Sequence, residues 1–192
     1  NRRGFVYMVE RFLNHCEDRT RYGILYFNIK NFKATNELLG VKEGDCILQS
    51  FCKSIERSFL HPVYTARVEA DHFVSFVERD RISLKKLEEF CNQTFEIYNK
   101  KIRVHSCCGI FYLKDENMPV AGMVDRAKLA KQHIVDEYLK PYAVFDQKME
   151  MEYIDKAEIA AAFEEAIINE ELEVYYPVSY THLRAHETLS DL

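Results

Sequence analysis

The six cysteines of this chain, Cys16, Cys46, Cys52, Cys91, Cys107 and Cys108, include no CxxC pair and show no His/Cys spacing of the zinc type. That absence excludes the common zinc patterns and leaves them to be read as reduced, mostly core thiols of a cytoplasmic chain. His15, His61, His105 and His133 lack metal-ligand spacing too and read as solvated or core-edge histidines. No apolar run approaches the roughly eighteen residues that a membrane span needs, and no signal peptide precedes the first helical pattern, so no membrane contact is expected of this stretch. Nor is there an excess of positive charge. The net charge is -5, with Lys and Arg scattered among Asp and Glu, which leaves no electrostatic footprint for duplex nucleic acid. A small anionic ligand stays open, because it needs only a few local donors.

What is present suits a globular protein: 47% of residues are hydrophobic and 30% charged. A length of 192 residues allows one well-buried domain with a smaller appendage. The chain opens at Asn1 without a methionine, as expected of a fragment whose upstream part, a sensor or a membrane anchor, is missing.

Apolar residues at Phe5, Met8, Val9, Phe12 and Leu13 predict a helix from Phe5 to about Glu17. Tyr22 to Ile29 is a nearly continuous apolar run of the kind found in a strand buried on both faces. Asn28 and Lys30 at its carboxyl end adjoin a helix that starts at Asn31 and is closed by Gly40, a place where ligands bind in mixed sheets. A second helix is predicted from Val41 to Phe59, a hairpin over Val63 to Val77, and a helix from Leu84 to Tyr98 capped by Ser83. A strand from Ile102 to Tyr112 follows, in which Gly109 marks a bulge or a close backbone contact. A helix from Val120 to about Val135 and a short strand, Tyr142 to Phe145, complete an α+β pattern: a largely antiparallel sheet flanked by helices. After Asp146 comes a connecting helix through Ile154, Ile159, Phe163, Ile167 and Ile168, and Leu172 to Tyr176 begins another strand.

In the hairpin, Glu69-Ala70-Asp71-His72 interrupts two runs of strand-like alternation. On residue type alone, Asp and His at a hairpin tip serve as turn formers and solvated groups as readily as ligands. Their context is more specific. Asn28-Ile-Lys-Asn-Phe32-Lys33-Ala-Thr-Asn36-Glu37 is followed by Gly40-Val-Lys-Glu-Gly44-Asp45-Cys-Ile-Leu48 and then by Arg67-Val-Glu69-Ala70-Asp71-His72-Phe73. In this order the three stretches resemble the GGDEF family, the diguanylate cyclase domains that join two GTP molecules into cyclic di-GMP. There a strand ends in D-x-D-x-F-K-x-x-N-D, followed by G-H-x-x-G-D-x-x-L and a hairpin carrying R-x-G-G-D-E-F. Asn1-Arg2-Arg3-Gly4-Phe5 is similar to the N-R-R-x-F that opens the family's domain, and Asp125-Arg126-Ala127 with Lys131 resembles a late helix that supplies a phosphate-binding lysine. The resemblance spans residues 1–146 and implies a nucleotide-cyclase-like, ferredoxin-like (palm) sheet.

It further implies nucleotide-binding roles for Lys33 and Lys131 on phosphates and for Asn36 and Asp45 on the guanine edge, with Asp71 at a position that contributes a metal ligand. Read as a structural element, Asn36 caps or faces solvent, Asp45 sits in a first helical turn where acids are favourable anyway, and both lysines are surface cations. The family's chemistry needs carboxylates that hold magnesium. Here the first such position is the neutral Asn28 and the next is the cation Lys30, while Glu69 and Ala70 replace paired glycines and His72 replaces a glutamate. Charge and bulk at Glu69 and Ala70 oppose a polyphosphate. No catalytic residue is therefore assigned, and Mg2+ is expected only if nucleotide binding is retained. Leu60-His61-Pro62-Val63 carries neither charge of the family's R-x-x-D product-inhibition site, so none is expected.

Residues 147–176 are similar to a connecting helix and the first strand of an EAL domain, the cyclic di-GMP phosphodiesterase often fused after a GGDEF domain. Residues 177–192 look like a non-native read-through tail. The expected function is a catalytically impaired GGDEF module that binds GTP and regulates an attached EAL domain. An active cyclase working as a homodimer and a structural dimerisation domain are the alternatives.

Overall fold

A computed structural model describes residues 1–169 of the chain. The apolar run Tyr22–Ile29 forms β1, buried on both faces as its composition predicts. β1 lies between β3 (His72–Glu78) and β5 (Lys100–Tyr112), antiparallel to both. Outside them are β2 (Tyr64–Glu69) and β4 (Asn92–Ile97), also antiparallel to their neighbours, in the order β2-β3-β1-β5-β4. A short β6 (Tyr142–Val144) pairs with β5 in parallel. Ser106 N donates to Cys91 O and Cys108 N to Pro141 O, so β4 and β6 share the outer edge of β5.

Two cores follow from the period of two in β1. Leu25, Phe27 and Ile29 pack against α2 (Phe32–Leu39), α3 (Val41–Glu56) and α4 (Leu84–Phe90) through Phe32, Ile47, Phe51, Ile55 and Leu87. Ile24 and Tyr26 pack on the other face against α1 (Arg2–Leu13) and α5 (Val120–Gln132) through Phe5, Val9, Leu13, Met123 and Ala127. This is the expected α+β architecture, a largely antiparallel sheet flanked by helices. Asn28 continues the series of Ile24 and Tyr26. In register opposite it is His72, which continues the series of Val74 and Phe76. Both polar side chains therefore meet on the α5 face of the sheet.

Three expectations need correction. The stretch Leu84 to Tyr98 is not one helix: α4 ends at Phe90, and Asn92–Ile97 becomes β4. Thr94, Phe95, Glu96 and Ile97 alternate with a period of two, and Tyr98 and Asn99 both take positive φ, 50° and 61°, to make a two-residue hairpin turn into β5. α1 lies earlier in the chain than predicted, starting at Arg2, capped by the Asn1 side chain that accepts from Gly4 N at 2.8 Å, and ending at Leu13. α3 ends at Glu56 rather than Phe59.

The chain divides into two compact units, residues 1–153 and residues from 154 on. The predicted connecting helix is α6 (Gln147–Ile168), which begins in the first unit and supplies the described part of the second. The predicted strand Leu172 to Tyr176 and the tail 177–192 lie outside the described residues. Among the described residues no helix is long and apolar enough to cross a membrane.

Candidate functional site

The site sits where β1 ends. Ile29 N donates to Asp71 O at 3.1 Å and Lys30 N to His105 O at 2.9 Å, so the hairpin and β5 grip the strand end from both sides. A register shift between Arg67 and Glu69 opposite His72 makes room for the acidic interruption, and Arg67 Nε donates to Ala70 O at 2.6 Å to close the turn. Phe73, which follows the interruption, is fully buried and packs on Phe51 at 5.2 Å between ring centroids. Burying a phenyl ring is worth about 2–3 kcal/mol, enough to hold the tip residues beside it in place.

Within this frame Asn28, only 8% exposed, joins the tip. Its Nδ2 donates to Asp71 Oδ2 at 2.9 Å and lies 3.2 Å from His72 Nε2, while Asp71 Oδ1 is 3.6 Å from the same ring nitrogen. An amide N–H facing Nε2 makes that nitrogen an acceptor and puts the imidazole proton on Nδ1, which is buried without a partner. The His72 ring meets Tyr26 edge-on at 5.4 Å. Burial pulls the His72 pKa down against the opposing pull of Asp71.

Cations surround this network. α5 is seated directly on β5 at Gly109, where an added Cβ would lie 1.9 Å from Ala127 O and 2.5 Å from Lys131 N. Gly109 thus marks a close backbone contact, one of its two predicted roles. Lys131 is half-buried there. Burial, then Lys30, depress its pKa, while Cys107, Glu137 and Asp71 pull the other way. Burial also pushes the Cys107 thiol up to about 11. Lys30 Nζ pairs with Glu137 Oε1, and Lys128 Nζ is 3.9 Å from Glu69 Oε2. His105 completes this side: Nε2 is 2.8 Å from Glu137 O, Nδ1 is 2.8 Å from Asn92 Oδ1, and the ring stacks on Tyr138 at 4.8 Å.

Magnesium takes near-octahedral oxygen ligands. Asp71 presents one carboxylate, with an amide donor already on it, near the Lys131 ammonium group of α5 and Lys30 just past the end of β1. This donor set does not fit the ion. Among the described residues no group of three or more His, Cys, Asp or Glu is arranged to hold a metal.

The other predicted residues lie at the junction of α2 and α3. Asn36 Oδ1 is buried with no donor, and an added Cβ on Gly44 would lie 1.8 Å from it. Asp45, the neighbour of Gly44, is exposed one turn into α3, where Glu43 rather than Asp45 occupies the first turn. Lys33 is exposed in the first turn of α2. Asn28, Asp71 and Lys131 are brought together around His72, whereas Asn36 and Asp45 share a junction without bonding to each other. The Glu137 contact had no sequence signal, since it joins residues 107 positions apart. A cavity of about 720 Å³ beside Phe12, Tyr22 and Tyr64 is at the opposite end of β1 and does not coincide with this chemistry.

The family described as "Diguanylate cyclase, GGDEF domain" matches residues 1–133. The chain belongs to the GGDEF family. The matched range ends just past Lys131 and takes in the whole network around Asn28. Among curated relatives, the bifunctional diguanylate cyclase/cyclic di-GMP phosphodiesterase MucR of Pseudomonas aeruginosa is 23% identical over 164 residues, which cover 83% of this chain and 24% of that protein. The chain thus spans about a quarter of the length of that relative. Among solved structures, the GGDEF domain of the Pseudomonas aeruginosa protein YfiN (TpbB) superposes with a TM-score of 0.64 at 18% identity, covering 79% of this chain and 92% of that one. An EAL/GGDEF domain protein from M. capsulatus gives 0.60 at 20% identity, covering 72% and 94%. These structures share the fold of this GGDEF domain.

Proposed function

We propose that this GGDEF domain does not catalyse and serves as a regulatory module of a cytoplasmic cyclic di-GMP signalling protein, acting on an attached EAL phosphodiesterase domain and taking a guanine nucleotide as its ligand. The observation that carries the reading is the Asn28–Asp71–His72 network. Where a cyclase would gather carboxylates around magnesium, an amide donor engages the Asp71 carboxylate, and lysines stand nearby. MucR, which pairs cyclase and phosphodiesterase in one chain, supports the attached domain.

The guanine half rests on Asn36. A buried unpaired carbonyl costs about 1–3 kcal/mol, and the N1–H and N2–H groups of a guanine edge are donors that would relieve it once the amide turns outward. Asp45 beside it is exposed and free to accept from the same edge. Lys33 and Lys131 are the cations for the phosphates.

The test is a pair of measurements on the purified chain. Incubation with GTP and magnesium should give no cyclic di-GMP, and calorimetric titration with GTP should give saturable heat that Asn36→Ala removes. Product formation abolished by Asp71→Ala would establish an active cyclase instead. No heat at millimolar GTP would reduce the domain to a scaffold.

A further inference from the structure

A divalent cation and an amide can hold two strands together by opposite chemistry. A cation joins two anions that would otherwise repel, and an amide offers its own hydrogens to acceptors. At the end of β1 the second arrangement is built in full. Nδ2 of Asn28 carries two N–H groups, and its two neighbours are Asp71 Oδ2 at 2.9 Å and His72 Nε2 at 3.2 Å, both acceptors. The backbone bond from Ile29 N to Asp71 O and the pairing of Asn28 with His72 put the amide there by register. A carboxylate at position 28 would set two anions at the same 2.9 Å separation in a site with little solvent.

We infer that the Asn28 amide has taken over the structural place of a metal ion: it clamps the end of β1 to the hairpin tip and makes the order of that tip independent of divalent cations. The clamp leaves the junction with nothing to gain from a dication, and Lys30 and Lys131 oppose one. The hairpin then presents the same surface at any magnesium concentration, which suits a module that regulates rather than catalyses. The inference concerns the same site as the regulatory reading, but it does not depend on nucleotide binding.

Thermal unfolding of the whole chain, without nucleotide, tests it in EDTA and in millimolar magnesium or manganese chloride. The native protein should give the same Tm in all three. Asn28→Asp should fall by about 5 °C in EDTA and recover with the cation, because the substitution restores the pair of carboxylates. Asn28→Ala should fall in every buffer and recover in none. If Asn28→Asp does not fold in EDTA, refolding in manganese replaces the Tm shift: recovery supports the clamp and failure overturns it. A native Tm raised by cations, or an Asn28→Asp protein indifferent to them, also overturns it. Absence of GTP binding would count against the nucleotide reading alone and leave this result unchanged.

Discussion

At the end of β1 the Asn28 amide bonds to both the Asp71 carboxylate and the His72 Nε2, whereas at the α2–α3 junction the Asn36 carbonyl is buried against Gly44 with no donor. Both places match family motifs, yet one has spent its polar groups internally and the other has not. A ligand entering at the first must break bonds of about 1 kcal/mol each before making its own, while at the second it supplies a missing partner. The closed side is not completely closed, since His72 Nδ1 is also buried without a partner. Difference in hydrogen-bond satisfaction, more than difference in residue type, separates the two places, and it is the ground on which the proposed reading assigns a structural role to one and ligand binding to the other.

Each side rests on a glycine, and adding one methyl to either should break the comparison differently. At Gly109 the added Cβ would strike backbone, Ala127 O at 1.9 Å, so α5 would have to lift off the sheet and carry Lys131 away from the hairpin. Gly109→Ala should cost about 3 kcal/mol, read as a lower urea midpoint with unchanged slope. At Gly44 the added Cβ would strike Asn36 Oδ1, the end of a side chain that can swing aside. Gly44→Ala should therefore cost about 1 kcal/mol or less in the same experiment, but abolish the heat of GTP binding by displacing Asn36. Equal losses of stability at the two positions would show that the junctions are packed alike.

Much of this frame was legible before any coordinates. The run Tyr22–Ile29 read as a strand buried on both faces, and the spacing of Asn28, Phe32, Asn36, Gly44 and Asp71 pointed to the family and its sheet. β4 was missed because Leu87, Phe90, Cys91 and Phe95 fit helical spacing as well as Thr94 to Ile97 fit a strand, and only the Tyr98–Asn99 turn decides between them. The bonds within the site were less legible than its members. That Asn28 would donate to Asp71 depends on strand register, and that Asn36 would lose its partner depends on how closely α3 approaches α2 at Gly44. Neither distance is written in a local pattern.

A smaller effect sharpens the closed side through pH. His72 is flanked by Asp71 and Glu69 from the hairpin and by Lys131 and Lys128 from α5, and its net shift is downward because burial outweighs the acids. A histidine whose folded pKa lies below its unfolded value leaves the unfolded chain holding more protons between the two, so stability rises with pH across that window and falls on acidification below about 6.5. His72→Gln should flatten the slope that this residue contributes, measured as Tm from pH 7 down to pH 5. An unchanged slope would mean that His72 protonates in the folded state without cost, and that the network accepts an imidazolium.

The smallest effect is expected at Lys30. Its pair with Glu137 is partly exposed, 25% and 33% for the two side chains, so removing it should cost about 0.5 kcal/mol. Glu137 would not come loose, because His105 still meets its carbonyl oxygen at 2.8 Å and stacks on Tyr138. What Lys30→Ala should change is local: Lys131 loses a neighbouring positive charge that depresses its pKa, and amide exchange across residues 133–140 should quicken modestly. Lys30→Ala combined with His105→Ala removes both holds on one segment, and should lose more protection there than the two single variants added together. If the double variant is merely additive, the two contacts act independently. The segment carrying Glu137 would then be a passive neighbour of the Asn28 clamp, not part of what keeps that side closed.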